Sequence, residues 1–541
     1  MHLYVHIRMY KCMGKFQNQN DKDRNEVTRC GSLFIYDEGD RTVKIDTILK
    51  KVITAIYIGV LAFIFYTIMF KEKTNADVPA NRGNAPSNWI MMIWVAGVIL
   101  GLSIVFKYVR KQMRINLYKA IFALAVVVYA IQIFILYHIV FYTGWDCGTV
   151  SDLAYCYACE GWMDPRYLSI NPNNVFITYI TIALLKLFSF LGNFDAMHFA
   201  LLCCFALMMN LSTCLVAFIG YKLTGNKIVS MIGYFVSVIL VALSPWMVVP
   251  YTDTATVLFP IGILFIYLYR EKISNLIIRW FLITVISIFG CFTKPTCIIV
   301  FIAILIYSFI NDFKTKINWQ TLIHSAVGCL IAAAILFPGR AYMEYRLDLD
   351  KELNLTWAHF LMMGMNSDAW GVWNADDFYF SLAIEGKEQR KEADLERVKQ
   401  RLKEYGVGGT ILQFEKKTII NYNDGSFAWG NEGNFYAFPN NNQSSLAIFL
   451  KSLFYQNEQG TRYKILYTIE HFCWLFVLVT STLIVFGKNT DESVKYIILL
   501  SLIGIFMFVT LFEARARYIF NYVPIYILAA VLGINCLYQK L

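Results

Sequence analysis

Charge is what this chain has least of. Only 16% of its 541 residues are Asp, Glu, Lys or Arg, against roughly 25% in soluble globular domains. That scarcity excludes an ordinary soluble protein. Histidine is rare, with seven residues, and no His-bearing metal-ligand spacing occurs. There is no internal repeat of the kind that builds many transporters from two halves. The first 48 residues have no short apolar core or cleavage site, so they do not read as a secretory signal peptide.

What is present is long apolar runs. Hydrophobic residues make up 57% of the chain and mean hydropathy is +0.50. Runs of about 18–25 residues are long enough to cross a bilayer. Spans are expected at 49–70, 89–107, 117–142, 196–221, 228–246, 254–269, 276–290, 296–310, 322–337, 465–486, 496–512 and 518–537. The fold class expected is therefore an all-α polytopic membrane protein of about 12 transmembrane helices, with one extracytoplasmic insert of mixed or irregular structure. The net charge of +10 reads as topology and attraction to anionic membrane lipids, and not as nucleic-acid binding.

Basic residues orient the chain. The leader 1–48 carries Arg8, Lys11, Lys15, Lys22, Arg24, Arg29, Arg41 and Lys44, a cytoplasmic mark. Lys107, Arg110, Lys111 and Arg114 put the start of the 117–142 span inside, so the loop after it lies outside. Lys222 with Lys227, Arg270 with Lys272, and Lys314 with Lys316 also ask to be inside. All of these agree only if the apolar run 175–191, which contains Lys186, lies on the membrane rather than crossing it. Twelve crossings then leave both termini cytoplasmic and the polar insert 339–462 outside. Within that insert, 385–404 alternates acids and bases at helical spacing and reads as a solvated surface helix.

Four outward patches hold polar groups beside apolar helices. The loop 143–174 contains Trp145, Asp146, Asp152, Asp164, Asn173 and Asn174. The segment Ser244–Asp253 holds Tyr251 and Asp253, the latter placed where an N-cap would also be expected. Lys294-Pro295 opens another span, and Arg515 and Arg517 precede the last one. Two outward arginines run against the positive-inside trend, and a guanidinium fork matches phosphate oxygens. Carboxylates and cations on one face suit a sugar donor carried on a lipid phosphate: the phosphate needs cations and the attacking hydroxyl needs a base. A soluble nucleotide-sugar enzyme would need a cytoplasmic α/β domain, and no inside segment is long enough. Of the 13 cysteines, most sit in or beside spans as small hydrophobes. For Cys147, Cys156 and Cys159 in the outer loop, spacing leaves disulfide pairing open.

From residue 117 to the C-terminus the chain resembles integral-membrane glycosyltransferases of the GT-C superfamily, the class of the protein O-mannosyltransferases and aminoarabinose transferases, and more closely its multi-span Gram-positive members. The resemblance rests on Gly144-Trp145-Asp146 with Tyr167-Leu168-Ser169-Ile170-Asn171-Pro172-Asn173-Asn174, on Ser244-Pro245-Trp246 with Pro250-Tyr251-Thr252-Asp253, on His359-Phe360-Leu361-Met362-Met363-Gly364, and on Ala514-Arg515-Ala516-Arg517-Tyr518. The two N-terminal spans, 49–116, are extra to it. It implies a GT-C-like core over 117–338 with a first outer loop 143–195, an extracytoplasmic domain over 339–462 and closing helices over 463–541. It implies Asp146 as catalytic base, although Cys147 stands where the superfamily has a second acid, which leaves Asp146 and Asp152 both open. Asp253 matches the second acid. Lys294, Arg515 and Arg517 match donor-phosphate contacts, and Trp145, Asn173, Asn174, Tyr251 and His359 match positions for acceptor or sugar. The implied reaction is inverting transfer from a polyprenyl-phosphate sugar to a cell-surface glycan or other acceptor, at the outer face of a bacterial plasma membrane. A divalent metal (Mg or Mn) serves some branches of the superfamily and not others. The competing readings are a polytopic transporter and a lipid-linked glycan polymerase or ligase, the latter leaning on His359 and Arg340.

Overall fold

The computed structural model describes residues 24–71, 86–108, 114–312, 319–430, 436–439, 442–455, 462–487 and 491–540. The leader up to residue 23, Arg110, Lys111, Lys314 and Lys316 therefore lie outside the described residues. Residues 1–52 with 308–318 form one small unit, and 53–307 with 319–541 form the main one. Within the small unit Lys50 pairs with Asp46 one helical turn away, at 3.0 Å. Packing below concerns the main unit.

The protein is an all-α polytopic membrane protein. The helices are α1 (Arg24–Phe70), α2 (Asn88–Tyr108), α3 (Leu117–Ile139), α4 (Asp146–Glu160), α5 (Arg166–Ile170), α6 (Val175–Leu187) and α7 (Phe194–Thr224). They continue with α8 (Lys227–Ala242), α9 (Thr252–Leu268), α10 (Leu276–Thr293), α11 (Ile298–Asp312), α12 (Trp319–Arg346), α13 (Trp357–Gly364), α14 (Ala375–Leu382) and α15 (Lys387–Tyr422). The last four are α16 (Ser445–Phe454), α17 (Arg462–Thr482), α18 (Glu492–Leu511) and α19 (Val523–Lys540). Among the described residues nine helices are long and apolar enough to cross a membrane, and α8, α9 and the stretch Pro295–Ile310 are shorter apolar ones. Together these occupy all twelve expected positions. A single antiparallel pair joins β1 (Phe141–Thr143) to β2 (Tyr436–Pro439), with Tyr142 opposite Phe438.

Local sequence explains several boundaries. Asn116, Asn193, Asn226 and Asn275 each cap a helix, their side chains accepting from N–H groups of the first turn, as Asn does well. Along α3 the buried positions Leu117, Ile121, Val128, Gln132, Ile135 and Ile139 form one face. Gln132 Nε2 donates from it to the Ala206 and Ala242 carbonyls at 3.2 and 2.6 Å. Such a polar tie holds helices together where lipid supplies no hydrophobic drive. The last helix is the most buried of the nine: every residue of α19 from Val523 to Cys536 is buried, and it packs against α7, α8 and α17.

The segment 175–191 forms α6, 13 residues ending in a short 3-10 turn. At 1.5 Å per residue it is about 20 Å long, too short for a hydrocarbon core of about 30 Å. It packs against α4 through Ala154, Leu168, Val175, Ile182 and Leu185. Lys186 lies over the Tyr157 ring at 5.2 Å.

The insert after α12 is built mainly of helices. The acid–base stretch in α15 corrects the solvated reading, because one of its faces is buried. Arg390 is 2% exposed and donates to the carbonyls of Ser381, Glu352, Asn354 and Ile384. Asp394, Val398 and Arg401 continue that face at i+4 and i+3 spacing, and Arg401 makes a two-pronged pair with Asp377 at 2.6 and 3.0 Å. After α15 the chain turns through Asn423–Gly430 against α17. Gly425 sits so close that a Cβ would come within 2.5 Å of His471 Cα.

The loops that follow α3, α8, α10 and α18 meet at one end of the helices, as the ion pairs below require. The basic loops gather at the other end: Lys222 and Lys272 both lie over the Tyr269 ring, and Lys227 donates to the Ile115 carbonyl.

Candidate functional site

The centre of the gathered loops is a buried ion cluster. Asp253, in the first turn of α9, accepts from Arg517 Nη1 at 2.8 Å through one oxygen and from Lys294 Nζ through the other. The three residues are 1%, 7% and 6% exposed, and come from positions 41 and 264 residues apart. Helix capping by Asp253 is thereby set aside: its carboxylate serves two cations from other loops. Counted by themselves, the three residues carry two positive charges and one negative.

Aromatic rings hold the guanidinium. Arg517 lies over Trp145 at 4.5 Å, over Tyr518 at 5.3 Å and over Tyr251 at 5.6 Å, and Trp145 meets Tyr251 edge to face at 5.1 Å. Such stacking fixes a cation and reinforces its charge in a desolvated place. Because Trp145 immediately precedes Asp146, the stack also anchors the start of α4 beside the cluster.

Asp146 itself is exposed. The Tyr167 hydroxyl donates to its Oδ1 at 2.8 Å, Asn174 Nδ2 donates to that hydroxyl at 2.7 Å, and the Tyr251 hydroxyl donates to Asn174 Oδ1 at 2.6 Å. Burial, with Asp146 beside it, raises the Tyr167 hydroxyl well above the ordinary phenol value. It therefore keeps its proton and points it at the carboxylate. Asp146 Oδ2 has no partner among the described residues. One oxygen is oriented and the other is open, the condition a general base requires.

A model of the conserved hypothetical integral membrane proteins matches residues 45–536. The chain belongs to that family. No curated protein and no solved structure matches it.

The remaining expected site residues of this family member divide. Asn173 reaches Asn174 weakly, at 3.4 Å, and its own Oδ1 is buried with no partner among the described residues. Arg515 does not join the cluster. Its Nε pairs with Glu513 at 3.2 Å, which also accepts from the Tyr518 hydroxyl at 3.0 Å. Asp152 is exposed on another face of α4 from Asp146. His359 is buried inside the insert, its Nδ1 2.7 Å from Ser381 Oγ, and burial lowers its imidazole to about 4. Ser381 in turn donates to Asp394, so His359 serves the fold of the insert. Trp246 is also structural: its indole N–H donates to the Ser426 carbonyl at 3.1 Å.

Tyr167 and Glu513 belong to this constellation and were missed as site residues. Tyr167 stands seven positions before Asn174 in the same motif, and that proximity was the available signal. Cys147, Cys156 and Cys159 are free thiols; the last two form a Cys-x-x-Cys pair late in α4, against the expectation of no Cys-x-x-Cys spacing in the chain. No three metal-ligating side chains gather among the described residues, so no step below is routed through a metal.

Two cavities flank the network. One, about 600 Å³, lies beside Pro172 and Phe292 and is lined by Arg340, Lys351, Lys387 and Lys391 with Glu344 and Glu388. Arg340 there reaches the Pro172 carbonyl at 3.2 Å and stacks over Phe292. Its wall includes Phe337, which continues an exposed apolar strip of α12 with Ile323 and Leu330. The other, about 370 Å³, lies between β1, the start of α4, the start of α7 and the 248–250 segment.

Proposed function

We propose that this protein is a GT-C-type glycosyltransferase that moves a sugar from a polyprenyl-phosphate donor to a cell-surface glycan or other acceptor. The observation that carries the reading is the open, tyrosine-oriented carboxylate of Asp146 next to the net-positive Lys294–Asp253–Arg517 cluster. The cationic cavity beside it adjoins the exposed apolar strip of α12, an arrangement that suits a lipid tail in the bilayer and its phosphate among cations. The basic loops at the opposite end favour an outer-face site in a bacterial plasma membrane, with both termini cytoplasmic.

In this mechanism Asp146 Oδ2 takes the proton of the acceptor hydroxyl as its oxygen attacks the anomeric carbon. The new glycosidic bond forms as the bond to the lipid phosphate breaks, and the phosphate leaves with the electron pair. Attack opposite the leaving group inverts the anomeric centre. The cluster and the cations of the neighbouring cavity stabilise the charge that grows on the phosphate. Tyr167 and Asn174 position Asp146, while Asp253 positions Lys294 and Arg517. Asp253 has no open oxygen for a proton; of the two open carboxylates, Asp146 and Asp152, Asp146 is the one that adjoins the cluster through Trp145.

The test is sugar transfer by purified protein in liposomes supplied with polyprenyl-phosphate-linked sugars. Asp146→Asn keeps the shape but cannot take the proton, and turnover should fall by about 10²–10⁴-fold. Full activity in that variant would move the role to Asp152. Failure of the wild type with every donor would overturn the transferase reading.

A further inference from the structure

The second cavity has a chemistry unlike the first. None of its lining residues is Lys or Arg, which disfavours a phosphate there. Its walls carry the aromatic rings of Tyr142 and Phe194, stacked with centroids 5.1 Å apart. Its polar groups include Asp152, His198, Thr143, Thr149 and Ser151, the last donating to the Cys147 carbonyl. Asp152 is exposed and makes no hydrogen bond or ion pair among the described residues. His198 and Thr143 are 3% and 6% exposed, yet His198 Nε2 and Thr143 Oγ1 have no partner among the described residues.

Two buried polar atoms without partners are costly unless something else satisfies them. Two contacts fix the walls of the cavity. Gly148 lets β1 approach the first turn of α4 so closely that a Cβ would collide with the Thr143 carbonyl, and the Tyr142 hydroxyl is tied back to Asp195 at 2.6 Å.

We infer that this cavity binds a neutral sugar unit, with its hydroxyls bonded to Asp152, His198 Nε2 and Thr143 Oγ1 and its apolar ring face against Tyr142 and Phe194. A carboxylate accepts from hydroxyl pairs, a buried imidazole and a threonine hydroxyl complete a mixed donor–acceptor set, and the aromatic faces match the C–H face of a pyranose. The volume, about 370 Å³, is within the range of small-ligand pockets. The 248–250 segment that closes the cavity leads directly into Tyr251 of the Asp146 network. On the transferase reading this is the acceptor subsite, and Asp152 is a binding residue rather than the base; binding itself does not depend on that reading.

The experiment is saturation-transfer NMR of the full-length protein in nanodiscs with glucose, galactose, mannose, N-acetylglucosamine and their methyl glycosides, with inorganic phosphate as competitor. At least one sugar should show saturation transfer that phosphate does not displace. Thr143→Val and His198→Phe, which keep the volume, should weaken it by roughly threefold to tenfold each, and Asp152→Asn by about tenfold or more. Wild-type melting behaviour in Thr143→Val separates lost binding from lost folding. Absence of signal from every sugar, equal signal in all three variants, or displacement by phosphate would overturn the assignment. Sugar binding without transfer activity would uphold the subsite and reject the transferase; transfer activity with Asp152→Asn unaffected in KM would do the reverse.

Discussion

Removing the negative charge of Asp253 tests whether the ion cluster is a structural unit. In Asp253→Asn the side chain keeps its shape, but Lys294 and Arg517 lose their shared anion while remaining buried, at 8% and 9% side-chain exposure. Breaking a buried pair in this way costs about 3–5 kcal/mol, because the desolvated charge stays behind uncompensated. Lys294→Met is a milder change. Asp253 keeps Arg517 at 2.8 Å, so the loss is nearer that of one charged hydrogen bond, about 1.5–3 kcal/mol. The double variant keeps one buried cation, Arg517, and no anion; because the Lys294–Asp253 pair is lost in either single variant and can be lost only once, the double variant should be less destabilised than the two single losses added together, by about 1–3 kcal/mol. Denaturant titration of the detergent-solubilised protein, followed by tryptophan fluorescence, reads all four species. An Asp253→Asn protein as stable as wild type, or strictly additive losses, would refute the cluster as the element that locks the four loops together.

Three further outcomes are expected. Lys417 donates to the Phe512 carbonyl at 2.6 Å, and burial lowers its ammonium to about 7, Glu513 opposing. The unfolded chain holds that proton up to about 10.5, so it binds more protons than the folded one between these values, and stability should rise with pH through that window. Lys417→Met should remove this part of the slope, and an unchanged slope would reject it. Gly425→Ala should lose about 1–3 kcal/mol by overpacking against His471, read by the same titration; a neutral substitution would show that the 423–430 turn can shift. In intact cells under reducing conditions, an impermeant maleimide should label the exposed Cys159 and should not label the thiol that Ser274→Cys introduces at the opposite end in a Cys159→Ser background, and the reverse pattern would invert the proposed orientation.

The helices were legible because an apolar run of 18 or more residues has few other uses. Charge parity did more than orient them. It put Asp146, Asp253, Lys294 and Arg517 on one side before any contact was known, and these are the residues the structure brings together. What one chain could not show was pairing. Nothing in the sequence ties Asp253 to a cation 264 residues away, and a carboxylate engaged by two cations looks the same on paper as a free one. Arg515 and Arg517 illustrate the limit: two residues apart on an extended-to-3-10 transition, they turn to different carboxylates, Glu513 and Asp253. His359 failed for a related reason, because exposure in a compact helical insert depends on which face of α15 covers it. That face, Arg390, Asp394, Val398 and Arg401, has its own helical spacing, but the surrounding charges obscure it.

Asp253, Asp152 and Asp146 are best separated by what their oxygens touch. Asp253 has both oxygens bound by cations and can only hold charge in place. Asp152 stands apart from the cluster, beside a cavity with no cation in its lining. Asp146 combines a fixed donor on one oxygen with an open second oxygen, a few side chains from the net-positive cluster. Chemistry that takes a proton from one group and releases an anion needs a free lone pair and a standing positive charge close together, but not in direct contact, since contact would neutralise both. The Trp145 and Tyr251 rings border both groups: they stack on Arg517, Trp145 directly precedes Asp146, and the Tyr251 hydroxyl joins the Asp146 network through Asn174. Replacing Trp145 by a small residue should therefore impair the site differently from Asp146→Asn, by letting Arg517 swing toward the base. A Trp145→Ala protein whose residual transfer is restored by the further change Arg517→Lys would identify the rings as the insulator between the two charges.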